Sequence, residues 1–160
     1  MRLVLQRVKQ AKVEVEGKVV GEIGQGLLVF LAVEQGDTSQ DIDDLVEKII
    51  HLRIFEDSEG KMNLSALQAH GEFLVVSQFT LLGCCRKGRR PSFDRAADPD
   101  AAELMYQRFV EKLKAQNVKK VATGRFRAMM DVSLINDGPV TFILESRLRP
   151  KTVDHRLETF

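Results

Sequence analysis

Leu27-Leu28-Val29-Phe30-Leu31-Ala32-Val33 is the stretch that decides the fold of this chain. Because every residue in it is apolar, both of its faces must be buried, which favours a strand inside the protein. A second run, Phe73 to Val76, predicts another buried strand, and its continuation Ser77-Gln78-Phe79-Thr80-Leu81 turns polar. These two runs predict a sheet at the centre of the protein.

The segments around these runs predict helices and further strands. Thr38 or Ser39 can cap a first helix, whose apolar residues recur at a spacing of about 3.6 residues. Asp98 is a suitable N-cap for a second helix that has Pro99 in its first turn. Hairpins are predicted at Glu16-Gly17 and between Arg53 and Leu64. Strands with two inserted helices indicate an α+β fold with an antiparallel or mixed sheet.

The last two predicted strands, Met129 to Ile135 and Val140 to Leu144, flank Asn136-Asp137-Gly138-Pro139. Proline fixes φ and has no N–H, so a central strand is not expected to continue through Pro139. Glycine permits close approach of another molecule, and a Gly-Pro bond is one of the few that can be cis. The segment is therefore either a β-turn or a binding element made of main chain.

Composition limits the classes of function that need to be considered. The chain has 160 residues, of which 44% are hydrophobic and 29% charged, and a formal net charge of +1. No apolar run approaches the roughly 18 residues of a membrane span, and no signal peptide is evident. Cys84 and Cys85 are adjacent, and the three histidines have no metal spacing. These features predict a cytoplasmic globular protein without a metal or other cofactor.

Two segments carry candidate chemistry. Ser77 to Thr80 could line a cleft, but a Thr80 nucleophile needs an adjacent base, and none is near in sequence. These groups could instead donate hydrogen bonds to a developing oxyanion, or satisfy nearby backbone. The basic loop, Gly83 to Asp98, could contact phosphate or be a solvated charged loop. Its cations are Arg86, Lys87, Arg89, Arg90 and Arg95, and a second cluster follows at Lys119, Lys120, Arg125 and Arg127.

Ser77-Gln78-Phe79-Thr80-Leu81 and Asn136-Asp137-Gly138-Pro139-Val140-Thr141 together resemble the two signature segments of the D-aminoacyl-tRNA deacylases. Either segment alone is a weak signal, whereas both in this order are highly specific. The similarity runs from Met1 to about Leu144 and includes Leu5-Gln6-Arg7-Val8, Glu14-Val15-Glu16-Gly17, Gly60-Lys61-Met62-Asn63-Leu64, Arg90-Pro91-Ser92-Phe93 and Thr123-Gly124-Arg125-Phe126.

The resemblance implies a homodimer with a barrel-like core, a single deacylase domain over residues 1–145 and a polar tail over residues 146–160. It implies hydrolysis of the ester between a D-amino acid and tRNA, with few or no catalytic side chains and help from the terminal 2′-OH of the tRNA. Gly138-Pro139 would be cis and would enter the partner's active site, where its carbonyl oxygens reject an L side chain. Glycine, including glycyl-tRNA(Ala), would be poorly excluded.

The resemblance also assigns roles to individual residues. The catalytic segment would consist of Ser77, Gln78, Phe79 and Thr80. Phe126 and Met130, which spacing alone assigns to core packing, would flank the terminal adenosine, and Arg7 would brace the Gly138-Pro139 turn. The tRNA would be held by Arg86, Lys87, Arg89 and Arg90. Three alternatives stay open: an editing deacylase for an achiral or small L-amino acid, a non-catalytic tRNA-binding module, and a Ser/Thr esterase.

Overall fold

The computed structural model describes residues 1–146, which form eight strands and two helices. A short 3-10 turn, Phe79–Leu82, follows the sixth strand. Residues 147–160 of the predicted tail lie outside the described part of the chain. The elements are β1 (Arg2–Val15), β2 (Lys18–Ile23), β3 (Gly26–Ala32), α1 (Ser39–His51), β4 (Arg53–Glu56), β5 (Met62–Ser65), β6 (Glu72–Ser77), α2 (Pro99–Lys114), β7 (Val121–Thr123) and β8 (Asp131–Glu145).

The long strand β1 organises a mixed sheet, because it pairs along both of its edges. One edge pairs antiparallel with β3 and then β2, and the other edge pairs antiparallel with β8. The strands β3, β6 and β7 run parallel to one another. Gly21 in β2 lies so close to β7 that an added Cβ would be 2.3 Å from the carbonyl oxygen of Thr123. This approach nearly closes the sheet, and the predicted α+β, barrel-like core with two helices is confirmed.

The core has two parts because β3 and β6 are buried on both faces. Leu27 and Val29 belong to a cluster between the sheet and the helices, while Leu28 and Leu74 belong to a second cluster inside the barrel. Each fully buried leucine contributes roughly 1.5–3 kcal/mol from the hydrophobic effect. The uninterrupted apolar run from residue 27 is thus explained by burial on both sides, as the sequence predicts.

Both helices begin where the sequence predicts. Thr38 is the N-cap of α1, and its N–H donates to the Asp41 carboxylate at 2.7 Å. Asp98 is the N-cap of α2, with Pro99 in the first turn. An ion pair of 2.9 Å between Lys112 and Asp43 joins the two helices. Neither helix within residues 1–146 has the length and apolar character to cross a membrane.

The strands around the two signature segments differ from the prediction. β6 ends at Ser77 instead of continuing through Leu81. The prediction of two separate strands around Pro139 is wrong, because β8 is one strand that pairs with β1 on both sides of it. Gln6 pairs with Thr141 and Val8 with Asn136, so residues 137–140 bulge out opposite Arg7. A bulge leaves residues outside the ladder, and proline is therefore tolerated there.

Candidate active site at the carboxyl ends of β6 and β7

The polar segment after β6 lies at the carboxyl end of the parallel strands. Ser77 pairs with Leu31 of β3, and the N–H of Gln78 donates to the Leu31 carbonyl at 2.8 Å. The N–H of Gly124, just after β7, donates to the Val75 carbonyl at 3.0 Å. The loops that follow β6 and β7 are thereby brought together at one end of the sheet, a position that favours ligand binding.

Main-chain hydrogen bonds hold the 3-10 turn. The N–H of Leu81 donates to the Gln78 carbonyl at 3.2 Å, and the N–H of Gly83 donates to the Thr80 carbonyl at 3.0 Å. Arg2 donates from Nη1 to the Leu81 carbonyl at 2.7 Å. The Gln78 side-chain amide donates to the Thr80 hydroxyl, and no histidine or carboxylate of the described chain is hydrogen-bonded to that hydroxyl. A Thr80 nucleophile would therefore lack its base here.

The basic loop folds back beside this turn. Phe79 is 55% exposed and meets the Phe93 ring edge-on, with the ring centroids 5.0 Å apart. Cys84 and Ser92 exchange two main-chain hydrogen bonds of 2.8 and 3.0 Å, which close the part of the loop that lies between them. Four cations on the loop are exposed and form no ion pair with the described residues: Arg86, Lys87, Arg89 and Arg90.

Other cations of the two predicted clusters have structural partners. Arg95 binds the buried Glu34 carboxylate, and this hydrogen bond raises the pKa of Arg95 above its ordinary value. Arg127 forms an ion pair with Asp100 in the first turn of α2. These two arginines join loops to the body of the protein. Among the described residues, the cations near the candidate site that form no ion pair are the four on the basic loop and the exposed Arg125 just after β7.

Phe126 and Met130 are both half-buried near this end of the barrel. The Phe126 ring lies 5.6 Å from that of Tyr106, whose hydroxyl donates to the Val75 carbonyl at 2.8 Å. Burial raises the pKa of Tyr106 well above its ordinary range, so the phenol stays protonated. Met130 contacts Gly124, where an added Cβ would be 2.7 Å from its sulfur. Both side chains pack against the core, and their contact with an adenosine stays a prediction.

Gly138-Pro139 projects from the bulge in β8, and both residues are exposed. Their peptide bond is cis, and Gly138 has a φ of 137°, a conformation that favours glycine. The side chain of Arg7 lies beneath the turn and is only 3% exposed. Its Nε donates to the Asp137 carbonyl at 3.0 Å and lies 3.4 Å from the Asp137 carboxylate. An added Cβ on Gly138 would be 3.3 Å from Nη2 of Arg7, so the guanidinium directly supports the turn.

Asn136 closes the bulge from the other side. Its side-chain oxygen accepts from the N–H of Val140 at 2.7 Å, and its amide donates to the Thr141 hydroxyl at 3.2 Å. Asparagine side chains commonly hydrogen-bond to nearby backbone in this way. Asn136 therefore replaces ladder bonds that the bulge interrupts.

The two signature segments do not meet within one chain. In the register of the sheet, Ser77 is aligned with Leu31 and, through it, with Leu3 of β1. Gly138-Pro139 lies opposite Arg7 of β1. Residues 3 and 7 are four positions apart on β1, which is about 13 Å at about 3.3 Å per residue. In addition, β1 and β3 lie between β8 and β6 in the sheet. The structure thus contains one candidate site at the end of β6 and a separate projection on β8, which consists of residues 137–139.

Two other features lie apart from the candidate site. A surface groove of about 500 Å³ is found near the opposite ends of β6 and β7, where Lys9, Lys12, Glu22 and Lys120 contribute to its lining. Within residues 1–146, no group of three or more His, Cys, Asp or Glu side chains is arranged to hold a metal ion.

The barrel-like sheet and the two segments match a family of enzymes that act on aminoacyl-tRNA. The profile described as "D-Tyr-tRNA(Tyr) deacylase" matches residues 4–145. A D-aminoacyl-tRNA deacylase of Thermosipho africanus is 60% identical over 92% of this chain and 98% of its own length. The chain belongs to the D-Tyr-tRNA(Tyr) deacylase family, and the predicted family is confirmed.

Two solved structures share this fold. One titled "c-Myc DNA Unwinding Element Binding Protein" has a TM-score of 0.87 and 42% identity, covering 92% of this chain and 99% of its own. Another, titled as a probable eukaryotic D-amino acid tRNA deacylase, has a TM-score of 0.76 at 21% identity, covering 89% and 97%. The second likeness supports the fold alone.

Sequence reasoning missed several residues that shape the projection. Asn136 and Asp137 lie within the signature segment, but neither was expected to hold it. Glu56, on the distant β4, contacts Arg7 through its carboxylate. An asparagine two residues before a Gly-Pro pair is a local sequence signal, since asparagine side chains often hydrogen-bond to backbone in turns. No local signal predicts Glu56, because its contact with Arg7 depends on the tertiary fold.

Proposed function

We propose that this protein hydrolyses the ester bond of D-aminoacyl-tRNA, releases the D-amino acid and spares the L isomer. One observation carries the stereochemical part of the proposal: exposed main chain at Gly138-Pro139 is held rigidly over a buried arginine. Rigid main chain can reject a side chain by shape without recognising which side chain it is. Such a site accepts many D-amino acids, and it has no means of excluding achiral glycine, so glycyl-tRNA(Ala) is a further substrate.

The reaction proceeds by positioning and oxyanion stabilisation. An aminoacyl ester is already activated, so correct placement of the attacking group can supply much of the rate. Gln78 uses its main-chain N–H on Leu31, which removes that group as a donor to substrate. The amides of Phe79 and Thr80 begin the 3-10 turn, where no acceptor exists within the turn. These amides, with the Gln78 side chain, bind the developing oxyanion, while Ser77 lines the pocket.

A homodimer completes the site, because the projection and the site of one chain are separated within the sheet. Apolar side chains on β8 are exposed beside the projection: Ile135 is 49%, Phe142 38% and Ile143 68% exposed. Burying them against a second copy is favourable by roughly 25 cal/mol per Å² of apolar surface. In this arrangement Gly138-Pro139 of one protomer enters the site formed after β6 of its partner.

The basic loop binds the phosphates of the tRNA near its acceptor end. Its four free cations, Arg86, Lys87, Arg89 and Arg90, adjoin the 3-10 turn through the contact of Phe79 with Phe93. The logarithm of kcat/KM should fall linearly with the logarithm of the salt concentration. Removing one cation that binds a phosphate should make this slope less steep by somewhat less than one. We expect this reduction for Arg86→Ala and Arg89→Ala. The exposed Arg108 on α2 provides the control, and an equal effect of Arg108→Ala would contradict a local tRNA contact.

A decisive assay compares purified protein on D-tyrosyl-tRNA and L-tyrosyl-tRNA with a chelator present. We expect many turnovers on the D form and slow hydrolysis of the L form. Equal rates on the two isomers would refute the stereochemical proposal. Glycyl-tRNA(Ala) in the same assay tests whether an achiral substrate is accepted.

A second candidate function is nucleic-acid binding without catalysis. The exposed cations of the basic loop favour it, as does the likeness to a structure titled as a DNA unwinding element binding protein. The two functions differ in turnover: a binding module would release no more than one equivalent of amino acid per protein chain. The same assay, run with substrate in large excess, separates them.

A further inference from the structure

We infer that Glu56 is a positioning residue for the Gly138-Pro139 projection and acts through the guanidinium of Arg7. The inference rests on the proposed function, in which this projection decides between D and L substrates. Glu56 lies at the end of β4, far in sequence from both Arg7 and Gly138. Its carboxylate accepts a hydrogen bond from Nη2 of Arg7 at 3.3 Å.

The three nitrogens of the Arg7 guanidinium bind two separate parts of the chain. Nε donates to the Asp137 carbonyl of the projection, whereas Nη1 donates to the Ile54 carbonyl of β4 at 2.7 Å. Nη2 donates to Glu56, two residues further along β4. Because the guanidinium is planar and rigid, fixing two nitrogens on β4 fixes the direction of the third. β4 therefore sets the position of the projection.

The nitrogen that Glu56 binds also lies close to Gly138. A Cβ added to Gly138 would be 3.3 Å from Nη2, so this atom borders the space on that side of the glycine. A shift of Nη2 would press on Gly138 or leave it unsupported. Glu56 thus holds the guanidinium nitrogen next to Gly138, while Nε of the same group binds Asp137.

The local structure of β4 fits this role. Its ladder with β5 changes register twice, between Arg53 and Phe55 and again between Phe55 and Glu56, so this short hairpin is irregular where it presents Glu56. Bulges reorient a side chain and are common next to functional sites. Ile54 and Phe55 are both buried in the core beside α1, so the base from which Glu56 reaches Arg7 is firmly held. The carboxylate itself is 58% exposed, and a purely structural role would predict little effect of its removal.

The test compares three variants for hydrolysis of D-tyrosyl-tRNA and L-tyrosyl-tRNA. In Glu56→Ala we expect the D/L ratio of kcat/KM to fall about tenfold, chiefly through faster L hydrolysis, because sub-ångström misplacement is costly in a steric site. Glu56→Gln keeps an oxygen acceptor for Nη2 and should retain most of the selectivity. Glu59→Ala is the matched control, since Glu59 is an exposed carboxylate on the same hairpin that pairs with Lys61.

A second measurement does not depend on activity. The amide signal of Gly138 in ¹⁵N-labelled protein should shift in Glu56→Ala and stay unchanged in Glu59→Ala. A wild-type D/L ratio in Glu56→Ala, or an equal loss of selectivity in all three variants, would overturn the inference. If the wild-type protein itself hydrolyses both isomers equally, the proposed function fails first, and this inference is overturned with it.

Discussion

The two signature segments are held in place by different means. Main-chain hydrogen bonds and the strand ladder fix the turn after β6, and Gln78 and Thr80 take part with their backbone. Side chains fix the projection on β8, above all the buried Arg7 and the adjacent Asn136. A segment that is held by its own backbone tolerates side-chain changes, whereas one that is held by distant side chains does not. The difference predicts where substitutions will damage the protein.

The largest effect is expected from Arg7→Ala, which removes the support of the projection. It would leave the buried Ile54 carbonyl without its donor and the Asp137 carboxylate without its counter-charge. We expect a loss of about 3 kcal/mol in the free energy of unfolding, because a buried carbonyl loses its donor and the packing of the buried side chain is lost, together with loss of D/L selectivity. Urea unfolding measures the first quantity. Arg53→Ala, an exposed arginine on β4, is the control and should change stability by about 0.5 kcal/mol or less.

Pro139→Ala is expected to have the next largest effect, and mainly on selectivity. Alanine lacks the ring that fixes φ, so the projection gains conformational freedom at its tip. We expect the D/L ratio of kcat/KM to fall about tenfold or more, with stability lower by only about 0.4–1 kcal/mol. Parallel kinetics on both isomers provide the check. Wild-type selectivity in this variant would show that the ring is not part of the stereochemical barrier.

Asn136→Ala tests the hydrogen bonds that hold the projection from within β8 itself. It removes the acceptor of the Val140 N–H and the donor to Thr141, at an expected cost of about 1–2 kcal/mol in unfolding free energy. Selectivity should fall only a few-fold, because Arg7 still holds the turn from beneath. Asn136→Asp keeps the acceptor and should cost less than the alanine variant. The opposite ranking of these two variants in thermal unfolding would contradict the assigned contacts.

Thr80→Ala should have the smallest effect, because main-chain bonds hold its turn. It removes one hydrogen bond from Gln78, and we expect kcat for D-tyrosyl-tRNA to stay within about threefold of wild type, whereas loss of a true general acid–base partner costs about 10²–10⁴. Single-turnover kinetics make the comparison. A loss of 10²-fold or more in a folded variant that still binds tRNA would restore the nucleophile hypothesis.

Much of the framework could be predicted from the sequence because its signals are local. Three such signals depend on neighbouring residues only: the apolar run from Leu27, the N-cap of α1 at Thr38 and the beginning of α2 at Asp98-Pro99. The course of β8 could not be predicted in this way. Pro139 indicated a break, but strand pairing with β1 on both sides outweighs the local preference once the residues between are extruded as a bulge.

The candidate site likewise has one part that local sequence signals predict and one part that depends on the tertiary fold. The segment Ser77 to Thr80 could be located from the end of an apolar run. The contact of Arg7 with β4 joins residues 47 positions apart, and nothing in either segment alone specifies the other. Contacts of that kind become visible only when the fold brings the two segments together.

The uneven distribution of charge affects how fast a polyanion can reach this protein. The formal net charge is only +1, and several cations away from the basic loop are paired with acids, as Lys112 is with Asp43 and Lys119 with Glu72. A near-neutral molecule with a concentrated positive loop behaves as an electric dipole. An approaching polyanion would be turned toward the loop before contact, which raises the association rate constant at low ionic strength. Salt should therefore slow encounter much more than it hastens release.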